Sequence, residues 1–226
     1  MGRDVSVARR DTVGAIVLAA GLSTRMGQPK QIMAWGSKLI VRQVVDVLAG
    51  SGAEPIVVVT GHVREQVEAV VEGAAIAGAA VAGAAITGVA GAATPAFNPD
   101  FADGSMMRSL QVGLRTLSSS TCGAALVALG DQPQIESAVV RAVMERWRAG
   151  DKEVVAPSFS GRRGHPVLFA RSLWPELLAA SADLLPRDLL KSFSGKIAYL
   201  EVATDSVLRD VDTPEDYARE TLAAGR

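Results

Sequence analysis

Two groups of residues in this chain are spaced for chemistry: a glycine-bearing segment with two cations, and acids that follow apolar runs. The first is Leu18-Ala-Ala-Gly21-Leu-Ser-Thr-Arg25-Met-Gly27-Gln-Pro-Lys30, directly behind the apolar run Gly14–Ala19. Gly21 and Gly27 permit positive φ and let backbone N–H groups approach an anion. Arg25 adds a planar, bidentate guanidinium, and Lys30 a mobile point charge. That combination suits a triphosphate. Neither common phosphate loop accounts for it. Five residues separate the glycines where a Walker loop has four, Gln28-Pro29-Lys30 follows, and no G-x-G-x-x-G is present. The acids are Asp131, in Gly130-Asp131-Gln132-Pro133 after the run Ala124–Leu129, and Asp210 with Asp212 ahead of Thr213-Pro214. Thr213 is a natural N-cap, Pro214 suits a first helical position, and Glu215 and Asp216 complement a helix dipole. Those roles leave Asp210 and Asp212 open, either as solvated turn residues or as part of a site.

Such loops need a scaffold whose strand ends converge, and the rest of the pattern supplies one. Strand-length apolar runs at Gly14–Ala19, Pro55–Thr60 and Ala124–Leu129 alternate with amphipathic segments near Leu39–Ala49, Val63–Val71, Met106–Leu117 and Ile135–Ala149. Leu173–Ala179 and Pro214–Ala223 complete the helices, while Glu153–Ala156, Pro166–Phe169 and Ile197–Val202 add strands. The alternation predicts a single-domain α/β fold, a Rossmann-like three-layer sandwich with a mostly parallel sheet and helices on both faces. Ligands of such sheets bind beyond the carboxyl ends of the strands, where the Gly21 and Asp131 loops both begin.

Composition removes other function classes. Across 226 residues, 23 Lys+Arg nearly balance 24 Asp+Glu, which argues against a nucleic-acid-coating protein. Aromatic residues at 4% argue against base-stacking platforms. The single Cys122 excludes an internal disulfide, and two histidines leave little for a Cys/His zinc site. Residues 1–12 read as a flexible polar N-terminus without a signal-peptide core, so the expected location is cytoplasmic. Residues 73–93 form an uncharged, Ala/Gly-rich, low-complexity insertion with glycine at 73, 78, 83 and 88. Its length could span a bilayer, but Ala and Gly contribute little to insertion. A period of five also keeps no face apolar, so the segment reads as a surface loop or frayed helical extension, dispensable for folding.

Together the motifs resemble those of the MobA-like nucleotidyltransferases, especially the molybdenum cofactor cytidylyltransferases. The resemblance rests on L-A-A-G-x-S-x-R-M-G-x-x-K at Leu18–Lys30, then Asn98-Pro99, Gly104 with Ser109-Leu110 and Gly113-Leu114. It continues through Gly130–Pro133, Arg163-Gly-His-Pro166 and Asp210–Asp216, in family order. It implies a fold of the nucleotide-diphospho-sugar transferase type and a Mg²⁺-dependent transfer. CTP, or another NTP, would donate its nucleotidyl group to a phosphorylated small molecule, molybdopterin, with release of pyrophosphate. By the same resemblance, Leu18, Ala19, Ala20, Gly21, Ser23, Arg25 and Lys30 bind nucleotide, and Arg25, Lys30 and Asp131 are catalytic. Asp131 and Asp212 hold Mg²⁺, and Asn98, Ser109, Arg163, Gly164 and His165 bind the acceptor. A molybdoenzyme is then a transient recipient, with no role for nucleic acid or membrane.

The chemistry suits these residues. A phosphate nucleophile is already an anion, so positioning and charge neutralisation dominate. Mg²⁺ takes a few carboxylates plus phosphate oxygens and keeps several waters. Ala19-Ala20 resembles the cytosine-using group more than the guanine-using one. The chain departs at Ala182-Asp183-Leu-Leu-Pro-Arg187, where the family carries G-D-x-G-x-R, and that bears on the acceptor. Similarity to a protein described as a nicotine blue oxidoreductase raises a redox enzyme on the same fold as a competing reading, although no dinucleotide fingerprint is present. The motifs would also suit a guanylyltransferase or a non-catalytic molybdenum cofactor carrier. Retention of Arg25, Lys30, Asp131 and Asp212 argues against the carrier.

Overall fold

Successive side chains of a strand face opposite ways, and the first strand, β1 (Val13–Leu18), is apolar on both sides. Val13, Ala15 and Val17 enter one core cluster and Ile16 another, so helices must cover both faces. The computed structural model describes residues 11–73 and 93–225. After β1 come the hairpin β2 (Ala34–Trp35) and β3 (Lys38–Leu39), then β4 (Ile56–Thr60), β5 (Ala93–Phe97) and β6 (Ala124–Leu129). The chain continues through β7 (Val154–Phe159), β8 (Arg162–Arg163), β9 (Val167–Ala170) and β10 (Ile197–Glu201). The main sheet runs β10-β7-β9-β6-β1-β4-β5, with β8 paired to β7. β1 is parallel to β4 and β6, β4 to β5, and β7 to β10; β9 is antiparallel to its neighbours β6 and β7. The chain leaves β1 toward β4 and later returns to its other side as β6. The order reverses there, so the loops after β1 and β6 flank one crevice.

Helices α1 (Ile40–Gly50), α2 (Arg64–Glu72) and α4 (Ser137–Arg148) cover one face through Val44, Leu48, Val67, Val70, Val140 and Val143. Helices α3 (Met106–Leu117), α5 (Trp174–Ala179) and α6 (Pro186–Ser192) cover the other through Leu110, Leu114, Trp174, Leu177 and Leu189. Helix α3 lies close against β1 because Gly113 has no side chain; a Cβ there would sit 2.4 Å from Ile16 Cγ2. A third, smaller cluster of Met26, Met33, Trp35, Ile40 and Val211 lies outside both layers. It joins the glycine-bearing loop to the acidic loop before α7 (Pro214–Ala223), whose Tyr217 donates to Ala34 O at 2.7 Å.

The cap read from the sequence at α7 is present in full. Thr213 Oγ1 accepts from Asp216 N, and the Asp216 carboxylate accepts from Thr213 N at 3.0 Å. The hydrogen bond from Arg219 chiefly, helped by lesser ones from Thr213 and Asp212, holds the Asp216 carboxyl below the usual carboxylate value, against an opposing effect of burial that is second in size. A lowered folded-state pKa stabilises above the unfolded value, and that contribution is lost as pH falls through the folded one. Thr213→Ala is therefore expected to cost about 1 kcal/mol near neutral pH, and less in acid. Urea melts of both proteins at pH 7 and below pH 3 check this; equal losses at both values would reject it.

The structure departs from the sequence expectation in five places. Ala93 opens β5 rather than closing the insertion, and Gly73, at φ 84°, is the C-cap of α2. The segment between them, like residues 1–10, lies outside the described residues, so the insertion and flexible N-terminus remain expectations. Pro95 hides β5 from a propensity reading, but proline is tolerated on an edge strand, and among the described residues β5 pairs only with β4. The hairpin β2–β3, the short β8 and helix α6 are also unanticipated. Among the described residues, no helix is long and apolar enough to cross a membrane.

Candidate active site

The loop after β1 is folded back on itself by two polar side chains. Gln31, buried at 3% exposure, donates from Nε2 to Gly21 O at 2.9 Å. Ser23 donates to Gln31 Oε1 at 3.2 Å and accepts from Lys30 N at the same distance. Ser23 and Gly27 adopt left-handed backbone, φ 54° and 73°, which tightens the turn between Gly21 and Lys30. Neighbouring strand ends press on this loop. A Cβ at Gly61, just past β4, would lie 2.4 Å from Ala20 O, and one at Gly130 2.9 Å from Leu18 O. Side chains at those positions would push the loop from the sheet.

The crevice between the loops is a cleft of about 340 Å³. Leu18, Ala20, Gly21, Ser23, Arg25 and Lys30 line it from the β1 side, and Asp131 and Asp212 from the opposite side. Ala19 is buried beneath the loop in the core. Lys30 Nζ donates to Asp131 Oδ2 and, at 2.7 Å, to Asp212 Oδ1; Arg25 Nη2 reaches Asp212 Oδ2 at 2.8 Å. Val211 N donates to Asp131 O at 3.0 Å, which ties the two acid-bearing loops together. Burial alone would lower the Lys30 pKa, but the charges and hydrogen bonds of Asp131 and Asp212 outweigh it and raise it. Asp210 lies beside this pair and accepts from Gln132 Nε2. Burial first, then the charge of Asp131, raises its pKa despite that hydrogen bond.

The donor set can be tested against a divalent cation. Asp131 Oδ1 is buried and has no hydrogen-bond partner among the described residues, so its lone pairs are unmet. A second carboxylate, Asp212, shares the same ammonium, so one ion could reach both. No group of three His, Cys, Asp or Glu placed to hold a metal occurs among the described residues. Two acids fit Mg²⁺ or Mn²⁺ completed by phosphate and water better than an all-protein cage.

The residues expected on the acceptor side divide. Ser109 lines the cleft; Asn98 lies beneath it, donating to Ser109 Oγ at 3.1 Å and accepting from Asp100 N. His165 lines a small apolar pocket adjoining the cleft, with Leu18, Met106 and Phe169. Burial lowers its pKa to about 4, so the ring is neutral at physiological pH. Arg163 is exposed on β8, outside the cleft, and Gly164 packs against Val207, whose carbonyl oxygen a Cβ would approach to 2.3 Å. Arg108 is paired with Asp100 and Asp103.

Sequence reasoning missed Gln31 and Gln132 as organisers of the two loops, and Phe101, Gly104, Ser105 and Met106 as cleft wall. Ser105 caps α3 by accepting from Arg108 N and donates to Ala182 O, so the departing 182–187 segment is fastened to the cleft. A Ser-x-x-Arg start gave no capping-box signal, because the box requires an acid or amide at the fourth position.

With this geometry in view, the pattern of the MobA-like NTP transferase domain matches residues 15–197. Over 206 residues the chain is 23% identical to the molybdenum cofactor cytidylyltransferase of Escherichia coli K12, covering 91% of this chain and 93% of that protein. The structure of Rv0371C from Mycobacterium tuberculosis H37Rv in complex with manganese superposes with a TM-score of 0.69 at 25% identity, covering 94% and 99%. Molybdopterin-guanine dinucleotide biosynthesis protein A from Archaeoglobus fulgidus gives a TM-score of 0.65 at 16% identity, covering 94% and 98%, and shares the fold.

Proposed function

The chain belongs to the MobA-like NTP transferase domain family and is a nucleotidyltransferase, and from that premise we propose that it is a CTP:molybdopterin cytidylyltransferase. In that reaction an oxygen of the acceptor's phosphate attacks the α-phosphorus of CTP. A new P–O bond forms, the bond to the bridging oxygen breaks, and the electron pair leaves with pyrophosphate. The observation that carries the reading is the convergence of Lys30, Asp131 and Asp212 on one point of the cleft. Arg25 and Lys30 neutralise charge gathering on the leaving pyrophosphate. Asp131 and Asp212 would hold a divalent cation, which supplies further neutralisation at the phosphates when bound. Ser109 and the apolar pocket with neutral His165 provide a wall for the acceptor on the far side.

The preference for CTP is supported by Ala19-Ala20-Gly21 and by the full-length likeness to a cytidylyltransferase. Cytosine and guanine differ in size and hydrogen-bond pattern, so a pocket shaped for one leaves buried groups unpaired with the other. Calorimetric titration with Mg²⁺ is expected to give CTP an affinity about tenfold or more above that of GTP. Equal affinities would reject the cytidine assignment and spare the transferase. A pyrophosphate-release assay with molybdopterin tests the acceptor: release should require CTP and molybdopterin together, and release without dependence on molybdopterin rejects it.

A further inference from the structure

The two acids that converge in the cleft already hold a cation, and it is a side chain. Lys30 Nζ is bonded to Asp131 Oδ2 and to Asp212 Oδ1, with only 12% of the lysine side chain exposed. These contacts are therefore poorly screened by solvent. The acids hang on short side chains between backbones that are tied to each other through Val211 N and Asp131 O. Lys30 reaches them through a flexible four-carbon stem whose root is pinned by the bond from its N–H to Ser23 Oγ. Of the three groups, the ammonium is the one free to travel. Arg25 differs in kind: its side chain is 69% exposed, and its ion pair among the described residues is with Asp212.

We propose that Lys30 is the resident counter-ion of the divalent-metal site, occupying the place between Asp131 and Asp212 in the nucleotide-free protein and leaving it for the polyphosphate on loading. The inference rests on the nucleotidyltransferase reading and adds an order to it. An ammonium and a divalent cation repel, and the same pair of carboxylates cannot hold both at full strength at such short range. Polyphosphate offers the displaced ammonium a new anionic partner. Each ligand thus removes part of what opposes the other, and metal and nucleotide bind with positive coupling. The residue that neutralises the leaving group also keeps the two acids paired until the substrate arrives.

Mn²⁺ binding to the full-length protein, followed by electron paramagnetic resonance of the free ion, tests this. Without nucleotide, Lys30→Met should bind Mn²⁺ about tenfold or more tightly than the wild type. Adding CTP should tighten Mn²⁺ strongly in the wild type and much less in the variant. A structure of the wild type with Mn²⁺ alone should place the ion at Asp131 and Asp212, with Lys30 Nζ withdrawn from both. Unchanged Mn²⁺ affinity in Lys30→Met, or Mn²⁺ seated on the acids with Lys30 still bonded to both, overturns the inference while the transferase reading stands. Absence of Mn²⁺ binding with and without CTP overturns metal-assisted transfer as well.

Discussion

Asp131→Asn and Asp212→Asn are each expected to lower kcat by about 10²–10³-fold, and the double variant by little more than either alone. The two carboxylates share one ammonium in the cleft, and one has a buried oxygen with unmet lone pairs among the described residues. If they hold one ion together, losing either leaves too weak a site, and losing the second removes nothing that still works. Independent roles would instead multiply the losses. The fold should survive, because Val211 N bonds to the backbone oxygen of Asp131 and not to its carboxylate. Nucleotide binding without metal should also survive through Arg25 and Lys30, with Mg²⁺ no longer strengthening it. Single-turnover transfer from labelled CTP, beside urea melts, checks both halves. Multiplicative losses in the double variant would falsify the shared site.

Gly164→Ala should lower stability by about 1–3 kcal/mol, with the loss appearing in unfolding before it appears in acceptor binding. A Cβ at this position would lie 2.3 Å from Val207 O and 2.6 Å from Val207 Cβ. The Val207 carbonyl is itself an acceptor for His165 N at 3.0 Å, and Gly164 N donates to Pro157 O at 2.9 Å. Neither the residue after β8 nor the short 3-10 turn that holds Val207 can therefore move aside without losing a backbone hydrogen bond. The family resemblance assigns Gly164 to the acceptor site, whereas its contacts give it a packing role that holds His165 in place. Arg163→Ala, on an exposed residue, is the matching control and should change stability by less than about 0.5 kcal/mol. A Gly164→Ala protein that melts like the wild type but binds acceptor weakly would return Gly164 to the acceptor contacts.

Much of the scaffold is legible from local pattern. Met106–Leu117 and Ala124–Leu129 are bounded in the structure as the apolar spacing indicates, and Pro214–Ala223 as its capping residues indicate. The reason is that burial on a helix stripe or strand face imposes a period, and a cap imposes a residue type, each within a dozen positions. β5 escapes because its five residues include Pro95, and its strand conformation is set by pairing with β4 rather than by its own side chains. The hairpin β2–β3, with only two residues on each side, is too short to show a period at all.

The sequence by itself determines that Gly21, Arg25, Gly27 and Lys30 lie within one turn-forming segment behind an apolar run, a grouping that depends on nothing distant. It also marks Asp131 as an acid at the end of a buried strand. Only the tertiary structure decides that Lys30 meets Asp131 and Asp212, which stand 101 and 182 positions away. It alone decides that Gln132 turns to Asp210, and that Arg163 stays outside the cleft while Ser109 enters it. Periodicity records which face of an element is buried, but not which element lies beside it. That choice follows from the reversal of strand order between β1 and β6, which brings two loops from distant parts of the chain to one crevice.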